Sequence, residues 1–197
     1  MTSATARGSL GRSPGQENII TRQLLIMRHA KSSWDDPQTP DHSRPLNKRG
    51  RLAAAAMRQA MQDLGLSPDL VLVSSARRTL QTLEALEPWV DTPLVEPMER
   101  LYLADLQALL DVLRAVAPTV RSVLLIGHNP GLHDLAVALI GAQAAAPPDD
   151  MTRQLAEGYP TGALAEFAVT GPWAELDIGG GRLQRFFAPR DLPEFAG

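Results

Sequence analysis

Two apolar runs that each lead into a histidine constrain the fold of this chain more than any other feature. Residues 24–27 are followed directly by Arg28 and His29, and residues 123–126 are followed one position later by His128. Short apolar runs of this kind indicate buried β-strands. Because ligands bind at the carboxyl edge of a parallel sheet, we expect these two histidines, out of only four in the chain, to meet at one site.

Predicted strands and helices alternate along the rest of the chain. The predicted strands cover residues 23–27, 69–73, 93–95, 121–126, 163–170, 173–176 and 183–187. The predicted helices cover residues 47–64, 77–87, 105–116 and 132–140, with a short amphipathic piece at 151–157. Asn47 is a predicted N-cap for the first helix, and Ser74 and Ser75 for the second. This order favours a three-layer α/β/α sandwich with a mostly parallel central sheet.

The length of 197 residues suits one compact domain with a sizeable core, which we expect over residues 21–190. Residues 1–20 are rich in Ser, Thr, Gly and Arg and lack the apolar centre of a secretory signal, so we expect a flexible tail. An organellar transit peptide is the alternative, because acidic residues are nearly absent from this segment. No apolar stretch approaches the length needed to span a membrane.

Charge and cysteine content exclude several functions. The net charge is −3, which gives no general electrostatic case for binding nucleic acid or an anionic membrane. The chain has no cysteine, so disulfides, thiol catalysis and cysteine-ligated zinc are excluded. This composition is compatible with a reducing cytosol, and we expect a cytoplasmic protein.

The strand-end residues suggest phosphoryl transfer. A neutral imidazole such as His29 can attack phosphorus and form a covalent phosphohistidine. The phosphoryl oxygens then need cations, which Arg28 and Arg78 can supply, since Arg78 follows the second predicted strand at the same sheet edge. His128 can donate a hydrogen bond to a phosphoryl oxygen. No step requires a metal or another cofactor, and the chain has no Gly-rich loop with Lys for a nucleotide.

These residues carry a resemblance to a known family. The run Leu25-Ile26-Met27-Arg28-His29-Ala30 is similar to the Arg-His-Gly signature of the histidine phosphatase (phosphoglycerate mutase-like) superfamily, with alanine in place of the glycine. Further matches follow in the family's order at Arg44-Pro45-Leu46, Arg49-Gly50, Ser74 with Arg78, Gln81-Thr82 and Gly127-His128. Arg28-His29-Ala30-Lys31-Ser32 and Tyr159-Pro160-Thr161-Gly162-Ala163 resemble the compact SixA-type phosphohistidine phosphatases.

The resemblance implies a phosphoglycerate mutase-like fold without a large cap domain. It makes His29 the phospho-accepting nucleophile and Arg28, Arg78 and His128 the phosphate pocket. Arg44 is expected to contribute to that pocket from its loop, with a loop salt bridge as the alternative. Glu99 falls near the region where the family has its general acid, with a surface carboxylate as the alternative.

The predicted function is a metal-independent phosphatase that acts through a covalent phosphohistidine intermediate, with protein phosphohistidine as the substrate that the resemblance implies. Two alternatives stay open. The chain could instead hydrolyse a small phosphorylated metabolite, or it could bind phosphate without turnover.

Overall fold

The computed structural model describes residues 21–141 and 149–195. The strands are β1 (Thr21–Arg28), β2 (Leu70–Ser74), β3 (Leu94–Met98), β4 (Ser122–Gly127), β5 (Leu164–Thr170) and β6 (Gly181–Phe187). The helices are α1 (Lys48–Asp63), α2 (Arg77–Leu86), α3 (Leu106–Arg114), α4 (Gly131–Ile140) and α5 (Asp150–Glu157). The predictions for residues 1–20, and for the Ala/Pro stretch within 142–148, lie outside the described residues.

The six strands form one sheet in the order β3-β2-β4-β1-β5-β6. β3, β2, β4 and β1 pair in parallel, whereas β5 pairs antiparallel with both β1 and β6. The mostly parallel α/β sheet predicted from the sequence is therefore confirmed. Between β4 and β5 the described residues add, besides α4, only the 8-residue helix α5.

The apolar run in β1 separates two helical layers. Leu24 and Ile26 pack in the larger core cluster with side chains of α3 and α4. Leu25 and Met27 point the other way and pack with side chains of α1 and α2. Because successive strand residues face opposite sides of a sheet, a strand covered on both faces must be apolar at every position. This is why the run shows no polar alternation.

The start of α1 is fixed by a cap and by a close backbone contact. The Asn47 side chain accepts a hydrogen bond of 2.7 Å from the backbone N–H of Gly50, as the predicted N-cap requires. A Cβ on Gly50 would lie 2.1 Å from the carbonyl oxygen of Lys31. Only glycine therefore lets the first turn of α1 pack against the loop that follows β1.

Three local predictions were wrong. The predicted strand at 173–176 is a 3₁₀ turn, Trp173–Glu175, whose buried indole donates to the carbonyl of Val120. β3 continues to Met98 although it contains Pro97, which an edge strand tolerates because one side of its backbone is unpaired. The N-cap of α2 is Ala76 rather than Ser74 or Ser75, and no side chain caps that helix.

The described residues contain no helix that is both long and apolar enough to cross a membrane.

Candidate active site

The two strand-end histidines lie side by side at the carboxyl edge of the sheet. Arg28 at the end of β1 is in register with Gly127 at the end of β4, and the backbone N–H of His29 donates to the Gly127 carbonyl at 3.1 Å. The imidazole centroids of His29 and His128 are 5.2 Å apart. Both side chains are buried. The meeting of two histidines predicted from the sequence is therefore observed.

Arg78 joins the two imidazoles from the first turn of α2. Its Nε lies 3.3 Å from Nε2 of His29, and its Nη2 lies 3.2 Å from Nδ1 of His128. The side chain is only 4% exposed, whereas the adjacent Arg77 is exposed. The structure thus brings Arg78, and not its neighbour, to the site.

The hydrogen bonds define which nitrogen of each imidazole carries the proton. His29 Nδ1 is 2.7 Å from the Ala30 carbonyl, which can only accept, so Nδ1 carries the proton and Nε2 keeps its lone pair. His128 Nδ1 faces the donor Arg78, so its proton is on Nε2, which donates to Ser74 Oγ at 2.7 Å. The unprotonated nitrogens, Nε2 of His29 and Nδ1 of His128, therefore both face the Arg78 guanidinium.

Arg28 and Arg44 both line the cleft that contains the two histidines. Arg28 donates through Nη1 to the Tyr159 carbonyl at 2.8 Å, while its buried Nε has no hydrogen-bond partner among the described residues. Arg44 donates to Ser32 Oγ at 2.7 Å, and its guanidinium carbon lies 3.1 Å from the Trp34 ring centroid. The structure thus brings together all three arginines that the sequence predicts.

Asp41 occupies the space between two of these arginines. Its carboxylate accepts from Arg44 at 2.8 Å and from Arg78 at 3.0 Å, and it also accepts from the Tyr102 hydroxyl at 2.6 Å. This side chain is 46% exposed. The sequence analysis assigned no role to Asp41, although its position three residues before Arg44 is the spacing of a local ion pair.

Burial and neighbouring cations keep both imidazoles neutral. Burial, together with the charges of Arg78, Arg28 and Arg44, lowers the pKa of His29 to about 4. Burial, the His29 ring and Arg78 lower the pKa of His128 to about 3. The hydrogen bond from Tyr102 holds the pKa of the Asp41 carboxyl below its ordinary value. At neutral pH the site therefore holds two neutral imidazoles, three guanidinium groups and one carboxylate.

These groups line a cleft of about 500 Å³. The lining residues are Arg28, His29, Lys31, Ser32, Trp34, Asp41, Arg44, Arg78, Leu103, His128, Asn129 and Thr161. Trp34 at the mouth is 75% exposed. Within the described residues no group of three or more His, Asp or Glu side chains could hold a metal ion. Cationic groups around two neutral imidazoles suit a tetrahedral oxyanion such as phosphate.

Glu99, the predicted general acid, does not line this cleft. It lies in a 3₁₀ turn after the edge strand β3, with its side chain 77% exposed. Its carboxylate accepts from the Ser75 hydroxyl and lies 3.6 Å from Nε2 of His42. None of these contacts is with His29 or His128.

Two further residues of the site were not predicted in these roles. Ser74 orients His128, although the sequence analysis assigned it to a helix cap. The Tyr102 ring packs edge-on to the His128 ring at 5.4 Å while its hydroxyl binds Asp41. Ser74 ends β2, a strand end at the same edge of the sheet, and that position is the signal that could have identified it.

Comparison with known proteins agrees with this geometry. The family model of the histidine phosphatase superfamily (branch 1) matches residues 24–102. The protein Rv1276c of Mycobacterium tuberculosis is 34% identical, with 83% of this chain and all of that protein covered. The chloroplastic protein At3g52155 of Arabidopsis thaliana is 31% identical, over 86% of this chain and 79% of its own.

Two solved structures share the fold over most of the chain. A protein assigned as the phosphohistidine phosphatase SixA of Nakamurella multipartitia is 29% identical, with a TM-score of 0.75 over 86% of this chain and 96% of its own. The protein histidine phosphatase SixA in complex with tungstate is 25% identical, with a TM-score of 0.69 over 86% of this chain and 98% of its own. Taken with the paired histidines and their arginines, these matches establish that the chain belongs to the histidine phosphatase superfamily and is a phosphatase.

Proposed function

We propose that this phosphatase removes the phosphoryl group from phosphohistidine on a protein, through a covalent intermediate on His29. The observation that carries the proposal is the unprotonated Nε2 of His29, which accepts a hydrogen bond from Arg78 Nε at 3.3 Å in the cationic cleft. A neutral imidazole flanked by guanidinium groups is suited to attack a phosphoryl group that those cations hold.

The reaction has two balanced steps. In the first, the lone pair of His29 Nε2 forms a bond to phosphorus. The bond from phosphorus to the substrate nitrogen breaks, and its electron pair stays on the substrate imidazole, which takes a proton from solvent. In the second step water attacks phosphorus and gives up a proton to solvent, the bond to His29 Nε2 breaks with its electron pair returning to that nitrogen, and inorganic phosphate leaves. The same nitrogen thus serves as nucleophile and then as leaving group.

The arginines stabilise the transferring group. Arg78 contacts both imidazoles, and Arg28 and Arg44 line the remaining walls of the cleft. Arg28 lines the cleft as a guanidinium group, so its charge can stabilise the phosphoryl oxygens. Fixed donors of this kind typically contribute about 10²–10³-fold each to turnover.

His128 can donate to a phosphoryl oxygen only after it gains a proton. Its Nε2–H is committed to Ser74 and its Nδ1 is an acceptor in the present arrangement. A bound phosphoryl dianion raises the pKa of a neighbouring imidazole, which favours the doubly protonated ring. We therefore assign His128 a donor role that depends on bound substrate.

A protein substrate is favoured over a small metabolite by the mouth of the cleft. Trp34 and Asp41 both line the cleft, and both are exposed to solvent. The mouth of the cleft is therefore open to solvent. Two solved structures that are 29% and 25% identical to this chain are described as SixA histidine phosphatases. The imidazole of phosphohistidine is also a good leaving group, so the poor placement of Glu99 as a general acid matters less for it than for an alkyl phosphate.

The test is steady-state phosphate release, with EDTA present, from a phosphohistidine-bearing protein, a phosphoserine peptide and p-nitrophenyl phosphate. We expect the highest kcat/KM for phosphohistidine, and 32P labelling of the enzyme that is lost in His29→Ala. His133→Gln is the matched control, because His133 contacts the Leu155 carbonyl at 2.9 Å and lies outside the cleft. Turnover of p-nitrophenyl phosphate alone would refute phosphohistidine as the substrate. Phosphate binding without any turnover would refute the proposed hydrolysis through His29.

A further inference from the structure

A second, smaller cleft of about 210 Å³ adjoins the candidate active site. Its lining residues are Lys31, Arg49, Ala53, Pro160, Thr161, Ala188, Pro189, Arg190 and Phe195. Lys31 and Thr161 line both clefts. The two depressions therefore adjoin at Lys31 and Thr161.

The second cleft is cationic, and no acidic side chain lines it among the residues that the structure describes. Lys31, Arg49 and Arg190 are exposed, and no Asp or Glu is among the lining residues. Within residues 21–141 and 149–195, Lys31 and Arg49 form no ion pair, and Arg190 makes only a long contact of 3.8 Å with Asp191. Since the whole chain carries a net charge of −3, this clustering of cations is local and not a result of composition.

Backbone contacts hold two of these cations beside His29. Lys31 is two residues beyond His29, so their Cα atoms are at most about 7 Å apart. The Lys31 carbonyl accepts from the Asn47 N–H at 3.0 Å, and the close approach of Gly50 packs the first turn of α1 against it. Arg49 lies in that turn, so the position of its backbone relative to the loop that follows β1 is fixed.

The third cation is held from the far end of the chain. The backbone N–H of Gly162 donates to the carbonyls of Arg28 and His29, each at 3.1 Å. Gly162 has a φ of +79°, and a Cβ there would lie 2.8 Å from Pro189. This packing places the turn Pro189–Asp191, and with it Arg190, against the loop that follows β1. Three sequence-distant segments thus deliver one cation each to the same cleft.

We propose that this second cleft binds a carboxylate side chain of the substrate protein, within about two residues of its phosphohistidine. The proposal deepens the proposed function and rests on it for the identity of the substrate. An extended chain advances about 3.3–3.6 Å per residue, so two residues span about 7 Å, which is comparable with the largest Cα separation of His29 and Lys31. The substrate class is then a phosphoprotein with an acidic sequence beside the modified histidine.

The test compares two fluorescein-labelled peptides that carry a non-hydrolysable phosphonate analogue of phosphohistidine. One peptide has glutamate at the two positions on either side of the analogue, and the other peptide has glutamine at those positions. Fluorescence anisotropy gives the Kd of each at low salt. We expect about tenfold tighter binding of the acidic peptide, because each exposed ion pair changes affinity by about two- to fivefold. The preference should shrink as salt is added.

Charge variants assign the preference to the cleft. The combined variant Lys31→Gln, Arg49→Gln, Arg190→Gln should bind the two peptides within about twofold of each other. A matched control removes the same charge from three exposed arginines outside both clefts, Arg77, Arg121 and Arg182, and should keep the preference. Circular dichroism checks that both variants fold.

Each outcome decides between the two proposals. Equal affinities in the wild type, no measurable binding of either peptide, or a preference that survives in the cleft variant would overturn the anionic subsite. Because the analogue is not hydrolysed, the binding result does not depend on turnover. Failure of the phosphate-release assay with a preserved peptide preference would reject the proposed substrate chemistry and leave the subsite standing.

Discussion

Acidification should protonate His29 and His128 only well below the ordinary range for histidine. Burial first, and the neighbouring arginines next, lower the pKa of His29 from 6.5 to about 4. This difference corresponds to about 3 kcal/mol in favour of the neutral imidazole. At pH 5 about one tenth of His29 molecules should carry the extra proton, whereas an ordinary histidine would be almost fully protonated.

The measurement is a ¹⁵N–¹H NMR titration of the imidazole side chains between pH 8 and pH 3. The chain has only four histidines, so single His→Gln variants can assign every signal. His128 should titrate last, near a pKa of about 3. The neutral His29 spectrum should report the tautomer with the proton on Nδ1, because the Ala30 carbonyl accepts from it.

The same shift has a consequence for stability. Below pH 6.5 His29 binds a proton in the unfolded chain, whereas in the folded chain it stays neutral until about pH 4. The free energy of unfolding should therefore fall as pH decreases through this window. A measured pKa of 6 or higher for His29 in the folded protein would refute the reasoning that burial and the guanidinium groups keep the nucleophile neutral.

Three substitutions test other parts of the site and its support. Arg78→Gln should lower kcat/KM for p-nitrophenyl phosphate by about 10²–10³-fold, since it removes a fixed cation that contacts both imidazoles, while Arg77→Gln should change it less than about twofold. Asp41→Asn should strengthen inhibition by inorganic phosphate about two- to fivefold, because it releases two arginines from a partly exposed carboxylate; weaker inhibition would contradict this competition. Gly50→Ala should reduce the free energy of unfolding in urea by about 1–3 kcal/mol through a backbone clash, whereas Gly158→Ala, with open space around it, should not.

The sequence predicted those features that depend on local pattern. β1 and β4 were recognisable because strands covered on both faces are apolar throughout, and their parallel pairing brought His29 beside His128. Arg78 was recognisable because it follows β2 at the same sheet edge.

Other features depend on contacts between distant segments. Asp41 reaches Arg78 and Tyr102 across the cleft, and nothing in its own loop indicates that pairing. The segment at Trp173 has strand-like composition, yet its indole bonds to Val120, and that long-range contact favours a 3₁₀ turn. Glu99 was predicted from the region where the family has its general acid, and its contacts with Ser75 and His42 arise from segments distant in sequence.

The position of β1 in the sheet has a consequence for how the protein assembles. β1 is the first described strand to be synthesised, but both of its neighbours come much later in the chain: Gln23 pairs with Ser122 in β4, and Thr21 pairs with Thr170 in β5. On the ribosome, the strand that leads into His29 must wait for nearly the whole chain before it can be enclosed on both sides. Phosphate binding should therefore appear late in refolding, as a signature of completed assembly.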